Sequence, residues 1–294
     1  MLLYEKSQTA VTELRSKQVF FIGGAAKSGT TWLQLLLNAH PQVSCNGEGH
    51  FLDNLKPALN MALEQHSGLI AEKNASLFNE IEGYPRPNGD YLSVILEFCI
   101  GLFLAEQSKR KPARAVGEKT PDNSRYFREL SDLFPTAKFI HVIRDGRDCA
   151  VSGWFHNLRV LPGATLEQFG TVGAYARAFA QIWATELATA QSFIDRNPDR
   201  TRQVRYEDIA SDPERVLAGL FAFLGVEASK AVLTDVQGEA SFEKLSGGRT
   251  CGNENRDSFF RKGVSGDWRN HLGEMDDAAF RRIAGRWMRR FGYS

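Results

Sequence analysis

A glycine-rich segment between an apolar run and a helical pattern constrains the fold more than any other part of the chain. Residues 23–32 read G-G-A-A-K-S-G-T-T-W. Residues 19–22 before them are apolar and β-prone, and Leu33, Leu36 and Leu37 follow at helical spacing. The amides of such a loop point at an anion, and the dipole of the next helix favours negative charge at the same place. We therefore predict a strand, a phosphate-binding loop and a helix.

The loop differs from that of nucleoside triphosphatases in the position of its lysine. The pattern G-x-x-x-x-G-K-[ST] requires a lysine directly after Gly29, where this chain has Thr30, and the lysine lies earlier in the loop. A glycine-rich turn with an incidental lysine is the alternative, and the flanking strand and helix argue against it. The candidate phosphate-binding residues are Lys27, Ser28, Gly29, Thr30 and Thr31.

The composition is that of a globular protein with an ordinary core. Of the 294 residues, 43% are hydrophobic and 24% are charged, and the formal net charge is +1. So small a net charge gives no reason to expect nucleic acid as a partner. The most apolar stretch, residues 94–105, contains Glu97 and is too short to span a bilayer, so we expect no transmembrane segment. The length fits a single domain over residues 1–294.

The cysteines and the first residues indicate a reducing compartment. The four cysteines are far apart and none forms a C-x-x-C pair, so we expect free thiols. Residues 1–6 lack the basic start and apolar core of a secretory signal, and we expect a soluble, cytoplasmic protein. The sequence contains no H-E-x-x-H or D-x-D-x-D-G pattern, and we expect no metal.

Predicted strands and helices alternate along the chain. After the first strand, further strands are expected at residues 42–45, 113–117, 138–143 and 202–206. Helices are expected over residues 91–108, 122–133, 145–156 and 172–194, from Asp212 onward and at the basic C-terminus, with a weaker one over 52–82. Such alternation is typical of parallel β-α-β units. We predict an α/β fold, a three-layer sandwich around a central, mainly parallel sheet, with a P-loop-like arrangement.

A second informative segment begins where a predicted strand ends. Residues 144–152 read R-D-G-R-D-C-A-V-S. Arg144 would lie at the carboxyl end of that strand, where open α/β sheets bind ligands, and Ser152 would lie on the following helix. A guanidinium fork and a hydroxyl suit phosphate oxygens. Taken alone, a cluster of surface ion pairs would explain the segment better, but it does not stand alone here.

Three segments together resemble the sulfotransferases that use 3′-phosphoadenosine 5′-phosphosulfate (PAPS). The first two are the K-S-G-T-T-W loop and the R-D-x-R-D-x-x-x-S segment. The third, residues 261–268, reads R-K-G-V-S-G-D-W and is similar to a segment of the cytosolic enzymes. They occur in the family's order and spread over most of the chain. The resemblance implies PAPS as the co-substrate, adenosine 3′,5′-bisphosphate as its product, and no metal.

The resemblance also implies which residues hold the nucleotide. The loop with Lys27 matches the site of the 5′-phosphosulfate. Residues that match the 3′-phosphate site are Arg144, Ser152, Arg261, Lys262 and Gly263. Trp32 matches the tryptophan that stacks on adenine, and Tyr206, in a Y-E-D sequence, is a second candidate for that surface. Core aromatic residues and a solvated basic loop are the alternatives.

The group that accepts the proton differs from that of the cytosolic enzymes. They carry a histidine after a K-T pair, whereas Pro121 follows Thr120 here and cannot transfer a proton. Residues 40–48, H-P-Q-V-S-C-N-G-E, resemble the tyrosylprotein sulfotransferases, whose base is a glutamate. We predict Glu48 as the general base, with His50 as the rival. A solvated carboxylate, or one that only pairs with Lys119, is the structural alternative.

The predicted function is sulfuryl transfer from PAPS to an acceptor hydroxyl or amine. Lys119 matches a second active-site lysine of the family and would stabilise charge on the sulfuryl oxygens. The alternative is a P-loop nucleotide or small-molecule kinase, against which the position of Lys27 argues. Residues 52–112 and 157–170 would select a small-molecule, carbohydrate, lipid or peptide acceptor that the sequence does not identify.

Two further features leave alternatives open. The K-x-x-x-T-V-x-x-x-E dimerisation segment of many cytosolic enzymes is absent, so the sequence does not indicate an oligomeric state. Residues 281–291 form a basic amphipathic pattern with Ile283, Trp287 and Phe291 near one face. Packing of that face against the core is the favoured interpretation, and contact with a membrane or polyanion is the other.

Overall fold

The computed structural model describes residues 3–78 and 83–293, which are built around a five-stranded parallel sheet. The strands are β1 (Gln18–Gly23), β2 (Val43–Asn46), β3 (Ala115–Lys119), β4 (Lys138–Ile143) and β5 (Thr201–Arg205). Their order is β2-β3-β1-β4-β5, and every neighbouring pair is parallel. The predicted α/β fold with a parallel sheet is confirmed.

Helices cover both faces of the sheet. In the first half of the described chain they are α1 (Leu3–Leu14), α2 (Thr30–Ala39), α3 (Lys56–Lys73), α4 (Gly89–Ser108) and α5 (Phe127–Leu133). In the second half they are α6 (Gly146–Val160), α7 (Pro162–Phe169), α8 (Val172–Ile194), α9 (Tyr206–Ser211), α10 (Pro213–Leu224), α11 (Lys230–Glu239), α12 (Phe242–Leu245) and α13 (Glu274–Arg290). Helices α3 and α4 lie in the connection from β2 to β3.

The apolar residues of β1 supply both layers of the core. Phe20 and Ile22 pack with side chains of α2, α9, α10 and α11 on one face, whereas Val19 and Phe21 pack with α1, α4, α5 and α8 on the other. A strand that is covered on both faces needs apolar residues at every position. This explains the continuous apolar run in the sequence and gives the predicted three layers.

Some elements differ from the sequence prediction. The weak helix expected over 52–82 is a π-helical turn (Phe51–Leu55), then α3, then a second π-helical turn (Asn74–Phe78). Its predicted end, residues 79–82, lies outside the described residues. The helix expected over 122–133 is divided into a 3-10 turn (Pro121–Arg125) and α5. Within the turn, the side chain of Asn123 donates to the carbonyl of Ile22 in β1 and to the carboxylate of Glu118 in β3, which holds this segment against the sheet.

The C-terminal helix packs against the protein with part of its apolar face. Trp287 is buried in a cluster with α6 and α8, and Phe291 packs against the same cluster. Ile283 is 37% exposed, and the arginines of the helix face outward. The packing interpretation therefore describes Trp287 and Phe291 but not Ile283. Within the described ranges, no helix is long and apolar enough to cross a membrane.

The sheet order brings the informative segments together. Strand β1 lies between β3 and β4. The chain forms β2 and β3 on one side of β1, and then β4 and β5 on the other side. Ligands of open α/β sheets bind at such a switch point, beyond the carboxyl ends of the strands. The loop after β1 therefore lies between Lys119, the last residue of β3, and Arg144, which follows β4.

Candidate active site

The loop between β1 and α2 encloses a buried hydroxyl. Lys27 and Gly29 have left-handed backbone angles, with φ of +69° and +98°. Loops with such alternations form concavities that bind anions. The hydroxyl of Ser28 is fully buried and has no hydrogen-bond partner among the described residues. A buried polar atom without a partner destabilises a protein, so this site suits a ligand that accepts a hydrogen bond.

Two aromatic side chains lie beside this loop. A Cβ atom on Gly29 would lie 2.6 Å from the ring of Tyr206, so only glycine fits there. Trp32 meets Tyr206 edge-on, with ring centroids 5.4 Å apart, and its indole N–H donates to the carbonyl of Ala240 at 2.9 Å. The two residues predicted to contact adenine are therefore neighbours.

A third aromatic residue, Phe242, follows two positions after Ala240. A Cβ atom on Gly263 would lie 2.4 Å from its ring, so Phe242 packs against the backbone of the third segment. The sequence did not point to Phe242, since residues 241–265 have little pattern. Trp32 thus contacts Tyr206 and the carbonyl of Ala240, and Phe242, two residues further on, contacts Gly263.

Arg144 joins the first loop to the third segment. Its guanidinium lies 4.1 Å from the ring centroid of Tyr206 and donates to the carbonyls of Lys27 (3.3 Å) and Val264 (3.0 Å). Its Nε atom is buried without a partner, and the guanidinium forms no ion pair with any described carboxylate. Burial opposes the charge of Arg144, but Tyr206, Asp148 and Glu207 lie near enough to raise its pKa. A buried guanidinium without a direct salt bridge is suited to an anionic ligand.

The other charged residues of the second segment are structural. Asp148 accepts hydrogen bonds from the amides of Gly266 (2.6 Å) and Trp268 (2.9 Å). Arg147 pairs with Asp145 and lies 3.7 Å from the ring centroid of Trp268. The ion-pair interpretation of this segment is therefore right for Asp145 and Arg147. Arg144 is different because its charge is not neutralised by a salt bridge.

The cations of the third segment are already paired. Arg261 and Lys262 both pair with Asp267, and Arg261 also pairs with Glu254. Although burial opposes the shift, hydrogen bonds from Lys262 and neighbouring groups lower the pKa of Asp267. The structure thus brings this segment to Arg144, but with its positive charges engaged by carboxylates.

Ser152 lies on α6, the helix that follows Arg144. It is half-buried, and its hydroxyl makes no hydrogen bond within residues 3–78 and 83–293. Gly263 has a φ of +70°. Ser152 follows Arg144 on α6, and the segment of Gly263 reaches Arg144 through the carbonyl of Val264. Their contact with a 3′-phosphate stays a prediction.

Lys27 lies in an apolar and positive environment. Its Nζ atom is 4.5 Å from the ring centroid of Phe259. Burial, and then the positive charges of Arg159 and Arg144, lower the pKa of Lys27 to about 8. The sequence did not point to Phe259 or Arg159, because their approach to the loop depends on tertiary structure.

Lys119 connects the phosphate loop to the predicted base. Its side chain is buried, pairs with Glu48 and donates to the hydroxyl of Thr31 at 3.1 Å. The ion pair that was the structural alternative for Glu48 is therefore present. It also places Glu48 one side chain away from the phosphate loop.

The loop that carries Glu48 is held by both neighbours of Lys119. The amide of Gly49 donates to Glu118 at 2.8 Å, and the amide of His50 donates to the hydroxyl of Thr120 at 3.3 Å. Glu118 is buried, and this burial raises its pKa although its hydrogen bonds oppose the shift. The end of β3 thus fixes the backbone that directly follows Glu48.

His50 contacts two carboxylates. Its Nε2 atom is 3.3 Å from Glu48 Oε2, and its Nδ1 atom is 2.7 Å from Asp53 Oδ2. The hydrogen bond to Asp53 is the main reason that the pKa of His50 is raised. The sequence did not point to Asp53, although its position three residues after His50 was a visible signal.

The geometry fits an anionic ligand. Two buried donors without partners, Ser28 Oγ and Arg144 Nε, belong to residues that meet at the same loop, since Arg144 donates to the carbonyl of Lys27, which precedes Ser28. The described residues contain no group of three or more His, Cys, Asp or Glu side chains that could hold a metal ion. The site can bind phosphate groups, and it holds a carboxylate beside them.

Comparison with known sequences identifies related proteins. Residues 19–230 match a model of the sulfotransferase family. Protein-tyrosine sulfotransferase of Drosophila melanogaster is 27% identical over 79% of this chain and 42% of that protein. Protein-tyrosine sulfotransferase 1 of Danio rerio is 25% identical over 73% of this chain and 55% of that protein. The chain thus spans about half the length of these relatives.

Solved structures show the same fold. Mouse sulfotransferase SULT7A1 complexed with PAP gives a TM-score of 0.55 at 20% identity, covering 97% of this chain and 90% of that chain. Sulfotransferase STF9 from Mycobacterium avium gives a TM-score of 0.58 at 14% identity, covering 99% of this chain and 81% of that chain. At these identities the likeness concerns the fold.

Proposed function

This chain belongs to the sulfotransferase family, and we propose that it transfers a sulfuryl group from PAPS to an acceptor hydroxyl. The observation that carries the proposal is the contact of Lys119 with both Thr31 of the phosphate loop and Glu48. One buried lysine thereby joins the candidate donor site to the candidate base. A kinase with a P-loop is disfavoured by the family match and by the position of Lys27.

The donor would bind across the loop after β1, the neighbouring aromatic residues and the third segment. Residues 27–31 would hold its 5′-phosphosulfate, and Trp32, Tyr206 and Phe242 would contact adenine. The 3′-phosphate would contact Arg144, Ser152 and the third segment. The buried donors without partners support this assignment. The PAP-bound mouse structure of the same fold also supports it.

The reaction needs one proton removed and one leaving group stabilised. Glu48 would take the proton of the acceptor hydroxyl as its oxygen forms a bond to sulfur. The bond from sulfur to the bridging oxygen of the donor breaks, and Lys27 with the loop amides would stabilise charge on the 5′-phosphate. Lys119 would contact the sulfuryl oxygens. The balance is one sulfate ester, one adenosine 3′,5′-bisphosphate and one proton.

Among acceptors, we propose the hydroxyl of a peptide tyrosine for the first test. The support is the name of the relatives, which are protein-tyrosine sulfotransferases. Small-molecule, carbohydrate and lipid hydroxyls are the comparison classes. A cytoplasmic location stays a prediction from the sequence.

The donor is tested by calorimetry and by transfer of labelled sulfur. We expect adenosine 3′,5′-bisphosphate to bind much more tightly than ADP, without dependence on magnesium. Sulfur-35 from PAPS should appear in one acceptor class of the panel. Equal affinity for both nucleotides, or binding that requires magnesium, would contradict the proposal in favour of a kinase.

The base is tested with Glu48→Gln, which preserves shape and removes basicity. We expect turnover to fall by about 10²–10⁴-fold, the usual contribution of a general base. Binding of the bisphosphate should stay within about twofold, a small free-energy change, because Glu48 faces the acceptor. The fall should be smaller with an acidic phenol, which loses its proton more readily. Glu72→Gln, on the exposed surface of α3, is the matched control and should behave as the wild type.

A further inference from the structure

Three side chains form a line that leads from the candidate base to solvent. Asp53 and Glu48 lie on opposite sides of the His50 ring, 2.7 Å from Nδ1 and 3.3 Å from Nε2. The His50 side chain is 46% exposed, whereas Lys119 on the other side of Glu48 is 2% exposed. Since the Glu48 side chain is 39% exposed, the line has a buried end at Lys119 and is open to solvent from Glu48 to His50.

The backbone around His50 is shaped for this arrangement. His50 has a φ of +48°, a left-handed conformation that non-glycine residues rarely adopt. Its amide is held by Thr120, and its carbonyl accepts from the amides of Asn54 and Leu55 at the start of a π-helical turn. The turn places Asp53 against the ring. Strained residues and π-helical turns are often found at functional sites.

Among the residues described, His50 is the side chain in contact with Glu48 that can accept a proton from it. One carboxylate oxygen faces Lys119, whose ammonium group has three donors and no acceptor. The other oxygen faces Nε2 of His50. When Asp53 accepts a hydrogen bond from Nδ1–H, the lone pair of the neutral imidazole is at Nε2, toward Glu48.

We propose that His50, oriented by Asp53, takes from Glu48 the proton that Glu48 removes from the acceptor, and releases it to solvent. The inference rests on the proposed function and adds a route for the proton to it. The proton moves from Glu48 Oε2 to His50 Nε2, which becomes imidazolium, and then to water. Glu48 returns to a carboxylate, and no other atom is exchanged. His50 acts on the acceptor only through Glu48, so it is a positioning and proton-transfer residue.

The route requires the neutral imidazole. The charged groups that face the ring are Asp53 from its own turn and Glu48 from the loop after β2, with Lys119 of β3 beyond Glu48. Asp53 raises the pKa of His50 above its ordinary value of 6.5. The neutral form is therefore gained as pH rises through this higher pKa, and turnover should rise with it.

Nuclear magnetic resonance of the histidine nitrogens tests the dyad in the free protein, independently of turnover. We expect His50 to carry its hydrogen on Nδ1 above its pKa, and that pKa to exceed 6.5. In Asp53→Asn the pKa should move down toward 6.5. A hydrogen on Nε2, or a pKa that Asp53→Asn leaves unchanged, would overturn the proposal.

Kinetics test whether the dyad acts through Glu48. We expect His50→Gln to lower kcat by about tenfold with an aliphatic alcohol, less than the 10²–10⁴-fold contribution of the base itself. KM and bisphosphate binding should not change, and the acidic limb set by His50 should disappear. His66→Gln, on the exposed surface of α3, is the matched control. The double variant with Glu48→Gln should be no slower than Glu48→Gln alone, since both residues serve one proton.

Each contrary result identifies what has failed. Independent losses that multiply in the double variant would overturn the route. A larger loss in His50→Gln than in Glu48→Gln would also overturn it, because His50 would then be the base itself. Absence of sulfuryl transfer by the wild type would contradict the proposed function, while the nuclear magnetic resonance experiment would still decide whether the dyad exists.

Discussion

The two cationic groups of the candidate donor site are held in different ways. Arg144 contacts backbone carbonyls and the ring of Tyr206, and it has no ion-pair partner among the residues described. Arg261 and Lys262 are paired with carboxylates. A bound anion would interact directly with the charge of Arg144, whereas at Arg261 it would have to displace carboxylates that already pair with the side chain. Motif residues of the same charge therefore need not contribute equally to binding.

The local structure explains this difference. Arg144 directly follows a central strand of the sheet, and its surroundings are buried. Arg261 lies in a segment without regular structure between α12 and a 3-10 turn (Asp267–Asn270), where Glu254 and Asp267 are close in sequence. Arg144 is therefore preorganised for an anion, whereas we expect Arg261 to exchange a carboxylate for the anion on binding.

The largest effect is expected at Arg144. Arg144→Ala should weaken adenosine 3′,5′-bisphosphate by about 2–4 kcal/mol, the scale for losing a buried charge-assisted contact. Adenosine 5′-phosphosulfate, which lacks the 3′-phosphate, should lose far less. Calorimetry measures both, with Arg269→Ala at an exposed position as the control. Equal losses for the two ligands would show that Arg144 only supports the fold of the site.

A smaller effect is expected from the titration of Lys27. Its pKa of about 8 means that it is charged below that pH and becomes neutral above it. A phosphate ligand prefers the charged form, so affinity for the bisphosphate should be constant from about pH 7, where its phosphates are fully ionised, to pH 8, and fall above it. One proton limits the slope to about tenfold per pH unit. Lys27→Arg keeps its charge and should flatten the profile. An unchanged slope in that variant would assign the titration to another group.

The smallest effect is expected from Glu254. Glu254→Gln frees one side of Arg261, so it should tighten bisphosphate binding by about twofold to fivefold, within the range of an exposed ion pair. Arg261→Ala should weaken binding less than Arg144→Ala does. A control variant is needed, because removal of a negative charge far from the ligand tests whether binding tightens without any exchange of partners at Arg261. Glu214→Gln, exposed on α10, provides that control. A gain in both variants would contradict the exchange.

Features that arise from local pattern could be predicted from the sequence. The apolar run of β1, the glycines of the loop and the leucines of α2 each express a local physical rule. From these patterns the strand, the loop with Lys27 and the helix after it could be predicted in their correct order. Arg144 was also predicted, because its place after an apolar strand is a property of parallel sheets.

Features that depend on tertiary contacts could not be predicted. Helix α1 carries few apolar residues and is defined by packing on α4, so it was not expected. Phe259 approaches Lys27 across more than 230 residues of chain, and no periodicity records that contact. The pairing of Arg261 with Glu254 is short in sequence, but many loop conformations would have allowed other partners.

The backbone anchors next to Glu48 have a consequence for how acceptor choice can change. The two amides that follow Glu48 are fixed by Glu118 and Thr120, at the end of β3, rather than by α3 or α4. Met61, Leu69 and Val94 on those helices expose large apolar surfaces that take no part in these two hydrogen bonds. If this surface meets the acceptor, as the sequence predicts, selection can change it while the carboxylate of Glu48 keeps its position relative to the sheet. A family built in this way can diversify its substrates without rebuilding its chemistry.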